Sequence, residues 1–423
     1  MTAQDSRLAV EAVWRAESAR VVAGVARLVR DVGLAEELAQ DALVAALEQW
    51  PQSGVPDNPG AWLTTIAKRR AIDQLRRGER LNRKVTELGH ELRTSQEDPT
   101  LEVDAGIDGD VTDDVLRLVF TACHPVLPVE GRVALSLRVL CGLTTAEIAR
   151  AYLVPESTMA QRIVRAKKTL SSKRVPFEIP AADELTARLS SVLEVVYLVF
   201  NEGYSATAGS DWMRPALCRE ALRLGRLLAE LMPAEPEVHG LVALMEIQAS
   251  RLAARVGPDG EPVRLFDQDR SRWDRAHIER GLAALQKAGA LLARGDGAGP
   301  YVLQAQIGAC HATAATPEQT DWTRIAALYE ALAVQTGSAV VELNRAVALA
   351  MAFGPANGLE LVDELATEPQ LREYHLLPSV RGDLLARLGR RDEARAEFER
   401  AAALTQNERE RALLLRRAAE CTR

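Results

Sequence analysis

The sequence predicts an all-α protein, and three observations support this fold class. Apolar residues recur at three- and four-residue spacing along almost the whole chain, which is the period of an amphipathic helix. The dominant residues, Ala, Leu, Arg and Glu, are ones that helices tolerate well. Alternating β-branched and aromatic runs, which mark strands, are nearly absent. A chain of 423 residues is too long for one ordinary core, so several helical units are expected.

Pro- and Gly-rich breaks, together with one acidic stretch, predict the order of these units. They divide the chain into a first helical domain at 1–85, an acidic linker at 86–110, a second helical domain at 111–175 and a C-terminal helical array at 183–423. We expect each of the three helical parts to be compact.

Charge is distributed unevenly along the chain. The formal charge of the whole chain is −7, yet residues 115–175 carry +7 and residues 86–114 carry −9. Residues 176–423 carry a further −7. The acidic overall balance therefore hides a basic segment, and such a segment suits a polyanionic partner.

Several classes of protein are disfavoured. No run of about 18 apolar residues is present to span a membrane, and the N-terminus lacks the basic-then-apolar layout of a secretory signal. Five scattered cysteines do not form a disulfide framework, so we expect a cytoplasmic protein. There is no Gly-rich phosphate loop and no arguable Ser/His/Asp set, so neither an enzyme nor a bound cofactor is expected.

Two patterns resemble functional sites but are interpreted as structural. Adjacent Cys–His pairs, at 123–124 and 310–311, rarely supply two ligands to one metal, so buried packing is favoured and no metal site is expected. The segment DQDRSRWD (267–274) interleaves aspartates with arginines, which should lower the pKa of the carboxylates. A salt-bridged loop is therefore favoured over an acid catalyst.

The C-terminal array contains a weak internal repeat. Gly354 and Gly389 lie 35 residues apart, each between two expected helices, and the second copy places Phe398 among small residues as a tetratricopeptide repeat does. Further helices are expected upstream, among them Glu237–Arg255. In the segment FNEGY, Gly203 is expected to allow the turn that ends a helix.

The segment PGAWLTTIAKRRAIDQLRR (59–77) combines a core-like stripe with a dense cationic face. The stripe that should be buried recurs every four residues: Leu63, Ala67, Ala71 and Leu75. The nearly opposite face carries Thr65, Arg69, Asp73 and Arg77, and the remaining cations of the segment are Lys68, Arg70 and Arg76. A solvated basic face is the simplest interpretation of one such helix, but a second basic helix favours DNA binding.

That second helix belongs to GLTTAEIARAYLVPESTMAQRIVRAKKTL (142–170), which has the layout of a helix-turn-helix. Thr144 and Glu147 predict a capping box, and the turn is expected around 153–155. The small core should contain Ile148, Leu153, Met159 and Ile163. The candidate DNA contacts on the second helix are Gln161, Arg162, Arg165 and Lys168. Gln can pair with an adenine edge, Arg with guanine and Lys with phosphate, so DNA binding is favoured over a purely structural role.

Several stretches, in this order, resemble regions two and four of extracytoplasmic-function (ECF) sigma factors: ELAQDALVAALEQW, AWLTTIAKRRAIDQLRR and the helix-turn-helix segment. FTACHPVLP (120–128) and the C-terminal stretches FNEGYS, DQDRSRWD, TDW and LNRAVA resemble the subgroup that carries a tetratricopeptide-like C-terminal extension. The resemblance covers nearly the whole chain.

The resemblance implies a subunit that directs bacterial RNA polymerase to promoters and initiates transcription. It implies that the polymerase clamp region is contacted by Glu37, Gln40, Asp41 and Leu43. It implies that the minus-ten promoter element is contacted by Thr65, Lys68, Arg69, Arg76 and Arg77, and that the loop 51–60 traps a flipped base. Trp62 is interpreted as an anchor of its helix, with base stacking as the alternative.

Two residues depart from the family pattern. Many ECF members have Asn where this chain has Arg69, and many have a basic residue where this chain has Ala160 followed by Gln161. The promoter sequence is therefore not predicted.

The acidic linker and the C-terminal array leave more than one interpretation. The linker either threads basic channels of the polymerase or only solubilises the chain. We expect the array to regulate the sigma domains through an intramolecular contact, because its charge of −7 complements the +7 of residues 115–175. The alternative function is a stand-alone helix-turn-helix regulator with a protein-interaction scaffold, which would not need the clamp-binding helix.

Overall fold

The computed structural model describes residues 3–89, 111–152, 154–205, 212–258, 261–293 and 297–422. Within these ranges the protein is all-α, as predicted, and the β structure is limited to one isolated bridge between Val256 and Pro262. The chain divides into two compact units, Met1–Val195 and Val196–Arg423.

The N-terminal unit contains the helices of the first and second predicted helical domains, and these helices pack against one another. The helices are α1 (Ala3–Val29), α2 (Val32–Ser53), α3 (Pro59–Gly89), α4 (Val111–Ala122), α5 (Val129–Val139), α6 (Thr145–Ala151) and α7 (Glu156–Ser172). α1 packs against α2 and α3, and α5 packs against α7. α1 also packs against α4, and α2 against α7, so the two groups form one compact unit.

Local sequence signals set the ends of the first helices. The Asp31 carboxylate accepts the backbone N–H of Leu34 at 2.9 Å and caps α2, which ends where Gly54 adopts a φ of 83°. Asn58 accepts the N–H of Ala61 at 3.1 Å at the start of α3. α2 runs through Pro51, so the break expected at this proline begins three residues later. A proline in the last turn of a helix removes only one hydrogen-bond donor there.

The C-terminal unit is an array in which each helix packs mainly against its neighbours in sequence. The domain boundary falls inside α8 (Ala182–Tyr204). The array continues through α9 (Pro215–Leu231), α10 (Pro236–Ala249), α11 (Arg275–Leu292), α12 (Pro300–Thr313), α13 (Trp322–Thr336), α14 (Ala339–Phe353), α15 (Pro355–Leu365), α16 (Leu376–Arg387), α17 (Arg391–Leu404) and α18 (Glu408–Glu420).

Two expectations for this array are wrong in detail. The helix expected over Glu237–Arg255 ends at Ala249, where the Ser250 hydroxyl donates to the Ile247 carbonyl at 2.6 Å and competes with the helical backbone bond. α8 ends at Tyr204, inside the expected segment FNEGY, but Gly203 lies within the helix and does not form the turn. A Cβ on Gly203 would lie 2.6 Å from the backbone nitrogen of Cys218, so this glycine allows two helices to approach closely.

The repeat inferred from the sequence corresponds to two helix pairs. Gly354 and Gly389 have positive φ angles of 104° and 79° and connect α14 to α15 and α16 to α17. Phe398 is 1% exposed, and its ring packs against Gly382, where a Cβ would lie only 2.9 Å from the ring. The assignment of these pairs to the tetratricopeptide class stays a prediction.

Candidate nucleic-acid interface

α3 buries one face and exposes the other. Leu63, Ala67 and Ala71 are at most 1% exposed, as predicted. Leu75 is 38% exposed, so the buried stripe stops one turn earlier than expected. Single exposed leucines are common on protein surfaces and cost little.

The cations of α3 lie on its exposed side. Arg69, Arg76 and Arg77 are exposed and have no ion-pair partner among the residues that the structure describes. Lys68 is half-buried, because its side chain runs beside Gly24 of α1. Thr65 is exposed, and its hydroxyl donates to the Ala61 carbonyl at 2.8 Å. This face can neutralise phosphates without first breaking an internal salt bridge.

Two contacts fix α3 against α2. Arg70 pairs with Asp41 at 3.3 Å. The Trp62 ring meets the ring of Trp50 edge-on, with the centroids 5.4 Å apart, and Trp50 is 1% exposed. Trp62 is thus anchored to the core, and its half-buried ring keeps some exposed area.

The predicted clamp-binding residues lie along one exposed side of α2. Glu37 and Asp41 are exposed, and Gln40 and Leu43 are half-buried. The sequence reasoning missed the exposed apolar side chains beside them, Val44 (50%) and Leu47 (38%). They fall four and seven residues after Gln40, so helical periodicity alone could have found them. Acidic and apolar groups alternate on this surface.

A cavity of about 460 Å³ lies at the start of this surface. Its lining includes Glu37, Gln40 and Asp41 from α2, Gln74 from α3 and Arg138 from α5. The predicted contact residues therefore border a concave surface to which a partner side chain has access.

α6 and α7 form the predicted helix-turn-helix. Glu147 accepts the N–H of Thr144 at 2.8 Å, and the N–H of Glu147 donates to the Thr144 hydroxyl at 3.1 Å, which confirms the capping box. Ile148, Met159 and Ile163 are at most 5% exposed and form the expected core. Leu153 lies outside the described residues.

The candidate DNA contacts occupy the outer face of α7. Gln161, Arg165 and Lys168 are exposed, and Arg162 is half-buried. Val164 is 60% exposed between them and was missed by the sequence reasoning. An apolar side chain at this place can contact a thymine methyl group, so the face combines polar, cationic and apolar readout.

A buried glutamate joins the two helical domains. Glu36 is 4% exposed at the start of α2, and its carboxylate binds Arg138 of α5 at 2.8 Å and Lys167 of α7. Two further pairs accompany it: Arg27 with the equally buried Asp114 at 3.5 Å, and the more exposed Arg15 with Glu147. The first turn of α2 therefore packs against the side of α7 that carries Lys167, and each shields the other from water.

The Cys–His pair at 123–124 has a structural role. Cys123 is 2% exposed, its sulfur lies 3.3 Å from the Ser136 hydroxyl, and burial raises the pKa of the thiol to about 11. The Ser191 hydroxyl of α8 donates to the Cys123 carbonyl at 2.7 Å, and Arg132 donates to Ser191. The first half of α8 thus completes the second helical domain.

The expected salt-bridged loop is confirmed at one of its aspartates: Asp267 pairs with Arg264 at 2.7 Å, whereas hydrogen bonds hold the other two. Two hydrogen bonds from Ser271 lower the pKa of Asp269, and the backbone N–H of His277 lowers that of Asp274, which caps α11. The expected lowering of the pKa is thus confirmed for Asp269 and Asp274, with hydrogen bonds as the main cause. Among the described residues, no three His, Cys, Asp or Glu side chains are placed to hold a metal ion, and no helix is long and apolar enough to cross a membrane.

Comparison with known proteins assigns both predicted DNA-binding regions, the one with α3 and the one with α7, to families. Residues 13–81 match sigma-70 region 2, residues 117–170 match sigma-70 region 4, and residues 188–289 match a family of unknown function, DUF6596. An uncharacterized protein of Rhizobium meliloti is 44% identical over 389 residues, covering 92% of this chain and 90% of that protein.

Two curated relatives are named as ECF sigma factors. A probable ECF RNA polymerase sigma factor, SigI, of Mycobacterium tuberculosis is 26% identical over 42% of this chain and 60% of its own length. The ECF RNA polymerase sigma factor SigK of Mycobacterium bovis is 31% identical over 36% of this chain and 78% of its own length. The chain therefore belongs to one family with the Rhizobium meliloti protein, and its sigma-70 region 2 and region 4 domains identify it as an ECF-like sigma factor.

Proposed function

We propose that this chain directs core RNA polymerase to specific promoters and initiates transcription there. The observation that carries the proposal is the presence of three exposed surfaces on one compact unit. These are the cationic faces of α3 and α7 and the acidic-apolar face of α2.

Each surface has a role in this proposal. The face of α2 with Glu37, Gln40, Asp41 and Leu43 binds the polymerase clamp, and Val44 and Leu47 extend it. The face of α3 with Thr65, Lys68, Arg69, Arg76 and Arg77 holds the minus-ten element, where melted strands need cations for their phosphates. The face of α7 with Gln161, Arg162, Arg165 and Lys168 reads the minus-thirty-five element in the major groove.

The buried glutamate affects how these surfaces are used. Glu36 lies next to the clamp-binding residue Glu37 and binds Lys167, which lies next to the DNA-binding residue Lys168. We infer that the contact between the two domains must loosen before the polymerase and the promoter can use both surfaces fully.

In vitro transcription with core polymerase tests the proposal. The full chain should co-purify with the core enzyme and support initiation at its own promoters. Charge reversal at Arg69, Arg77 or Arg165 should reduce initiation at least about tenfold, since each loses phosphate attraction. Arg20→Glu on α1 is the matched control, because Arg20 is exposed and lies on none of the three surfaces.

Two results would count against the proposal. A chain that does not associate with core polymerase, but still binds one DNA sequence selectively, would be the stand-alone helix-turn-helix regulator. Equal initiation by the three charge-reversal variants and the Arg20→Glu control would show that these three arginines do not contact the promoter as proposed.

The C-terminal unit is proposed to regulate the sigma domains through a tetratricopeptide-like array that contacts them. The support is electrostatic, since residues 176–423 carry −7 and residues 115–175 carry +7. A chain that ends after Val195 is the appropriate truncation, because Ser191 belongs to the packing of the second helical domain. We expect this truncation to change promoter-dependent transcription, and unchanged transcription would refute the regulatory role.

A further inference from the structure

The C-terminal unit contains a cluster of arginines interleaved with aromatic rings. We call it the arginine–aromatic cluster, and its members are Tyr204, Trp212, Arg251, Arg255, Arg270 and Trp273. They come from the end of α8, the segment before α9, the segment after α10 and the loop before α11. Residues distant in sequence therefore meet at one place, and all six lie inside the DUF6596 segment.

The guanidinium groups and the rings alternate in space. Arg255 lies 3.7 Å from the centroid of the Tyr204 ring and 5.3 Å from that of Trp212. Arg251 lies 5.9 Å from both Tyr204 and Trp273. Arg270 lies 4.9 Å from the Trp273 ring. Cation–π contacts thus hold all three cations in fixed positions.

These cations have no carboxylate partner within the described part of the chain. Arg255 donates to the Tyr204 carbonyl, and Arg270 donates to the carbonyls of His311 and Ala314. No ion pair joins Arg251, Arg255 or Arg270 to an acid of the described residues. Glu318 acts on Arg270 only through space.

Two buried glutamates of the same unit are compensated by basic side chains. Glu246 is 1% exposed and receives three basic side chains: Arg226, His277 and Arg280. Glu202 is paired with Arg214. The arginine–aromatic cluster is the contrasting case, in which three cations lie together and none forms an ion pair with an acid of the described ranges. The three arginines are half-buried, and proteins normally pair cations in such positions because a partly desolvated charge is costly.

The cluster also contains buried hydrogen-bond donors that find no acceptor among the residues that the structure describes. They are the Nε–H groups of Arg251, Arg255 and Arg270 and the indole N–H groups of Trp212 and Trp273. Trp273 is only 5% exposed. Buried donors are nearly always paired in folded proteins, so a concentration of free donors indicates an absent acceptor.

Titration behaviour is consistent with an uncompensated positive field. Burial lowers the pKa of Arg255 and of Arg270, and the charge of Arg251 lowers both further. Next to them, burial together with Arg251 and Arg270 lowers the pKa of His311 to about 3. His311 is therefore neutral, and the cluster holds its positive charge on the three arginines.

We propose that the arginine–aromatic cluster is a binding site for an oxyanion, the phosphate or carboxylate group of a small molecule. Oxyanions supply what the site lacks, which is negative charge and several acceptor oxygens. A guanidinium group with a free Nε–H can bind such a group in a bidentate manner. The aromatic faces keep the guanidinium groups oriented before the ligand arrives. This site gives the C-terminal unit its own ligand.

Thermal unfolding of the full chain tests the site with two probes, inorganic phosphate and succinate, each against chloride at matched ionic strength. The probe that fits should raise the Tm saturably, by about 5 °C at ~100-fold excess over its Kd. A rise with phosphate alone identifies a phosphate site, and a rise with succinate alone identifies a carboxylate site. If neither probe raises the Tm, the proposal is wrong.

Arg251→Gln separates this proposal from a structural role of the cluster. Without oxyanion, the variant should be at least as stable as the natural chain, since it removes an unpaired charge. With oxyanion, it should lose the Tm rise, and its affinity for the probe should fall at least about tenfold. Arg275→Gln is the matched control, because Arg275 is exposed at the start of α11, outside the cluster.

Two further outcomes would overturn the proposal. A Tm rise of equal size in Arg251→Gln would place anion binding elsewhere, for instance on the DNA-binding faces. A lower Tm of Arg251→Gln in every buffer, without any effect of the probes, would show that the arginines serve packing alone.

Discussion

The substitution Glu36→Gln is the sharpest test of the contact between the two helical domains. The glutamate side chain is 5% exposed, and it neutralises two cations whose side chains are themselves only 18% and 16% exposed, Arg138 and Lys167. An amide of the same shape keeps the packing and can still accept one hydrogen bond. The change therefore removes the charge with little change in volume.

The structure allows an estimate of the cost. Breaking a fully buried ion pair costs about 3–5 kcal/mol. Both cations keep some access to water, and Arg138 also donates to the Leu143 carbonyl at 3.1 Å, so the penalty should be smaller. We expect Glu36→Gln to reduce the free energy of opening between the domains by about 2 kcal/mol.

Native-state hydrogen exchange is the appropriate assay, because a chain with two compact units need not unfold in one step. The protection of amides in α2 and α7 should decrease together in Glu36→Gln. Glu37→Gln is the matched control, since Glu37 is the next residue and is exposed; its effect should be within about 0.5 kcal/mol. In a double-mutant cycle, Glu36→Gln and Lys167→Gln should couple by about 1 kcal/mol or more.

The reasoning is refuted if Glu36→Gln and Glu37→Gln leave the same protection in α2 and α7. A coupling energy near zero with Lys167→Gln would also contradict it, because the two side chains would then contribute independently.

Three other predictions follow from contacts inside single units. Gly203→Ala should destabilise the protein by about 1–3 kcal/mol in urea unfolding, because its Cβ would lie 2.6 Å from the backbone of Cys218; Gly289→Ala, with nothing within 4 Å, should be neutral or slightly stabilising. Ser191→Ala should cost about 1–3 kcal/mol, since it removes the hydroxyl that donates to the buried Cys123 carbonyl and accepts from Arg132, although Arg132 keeps its ion pair with Glu194; equal stability would contradict this. The pKa of His311 is lowered to about 3 in the folded protein, so its contribution to stability is present above its ordinary pKa of 6.5 and is lost as the pH falls below that value. At pH 5 the loss should be about 2 kcal/mol and should vanish in His311→Gln, measured by unfolding at a series of pH values.

Local patterns in the sequence were sufficient to predict the fold class and much of the candidate interface. The capping box of Thr144 and Glu147, the buried stripe of α3 and the exposed positions of Arg69 and Arg165 all follow from helical periodicity. Such features depend on residues within one or two turns of each other, and their physical causes are therefore visible in a short segment. Periodicity also contained the signal for Val44, although that residue was overlooked.

Burial and pairing between distant segments were decided only by the tertiary structure. From the sequence alone, Glu36 is expected to be a surface acid of an amphipathic helix. In the structure it is enclosed by Arg138 and Lys167, which lie about 100 and 130 residues away in sequence. Arg270 reads as a partner for its neighbouring aspartates, yet it binds carbonyls of the α12 end and lies against Trp273.

The sequence by itself therefore determined that this protein is helical, with two exposed basic faces and an acidic-apolar one. Only the tertiary structure decided which charges are covered and which distant groups pair with them. The physical reason is that helix formation depends on local hydrogen bonds and side-chain spacing, whereas the cost of a charge depends on every group that the fold brings around it.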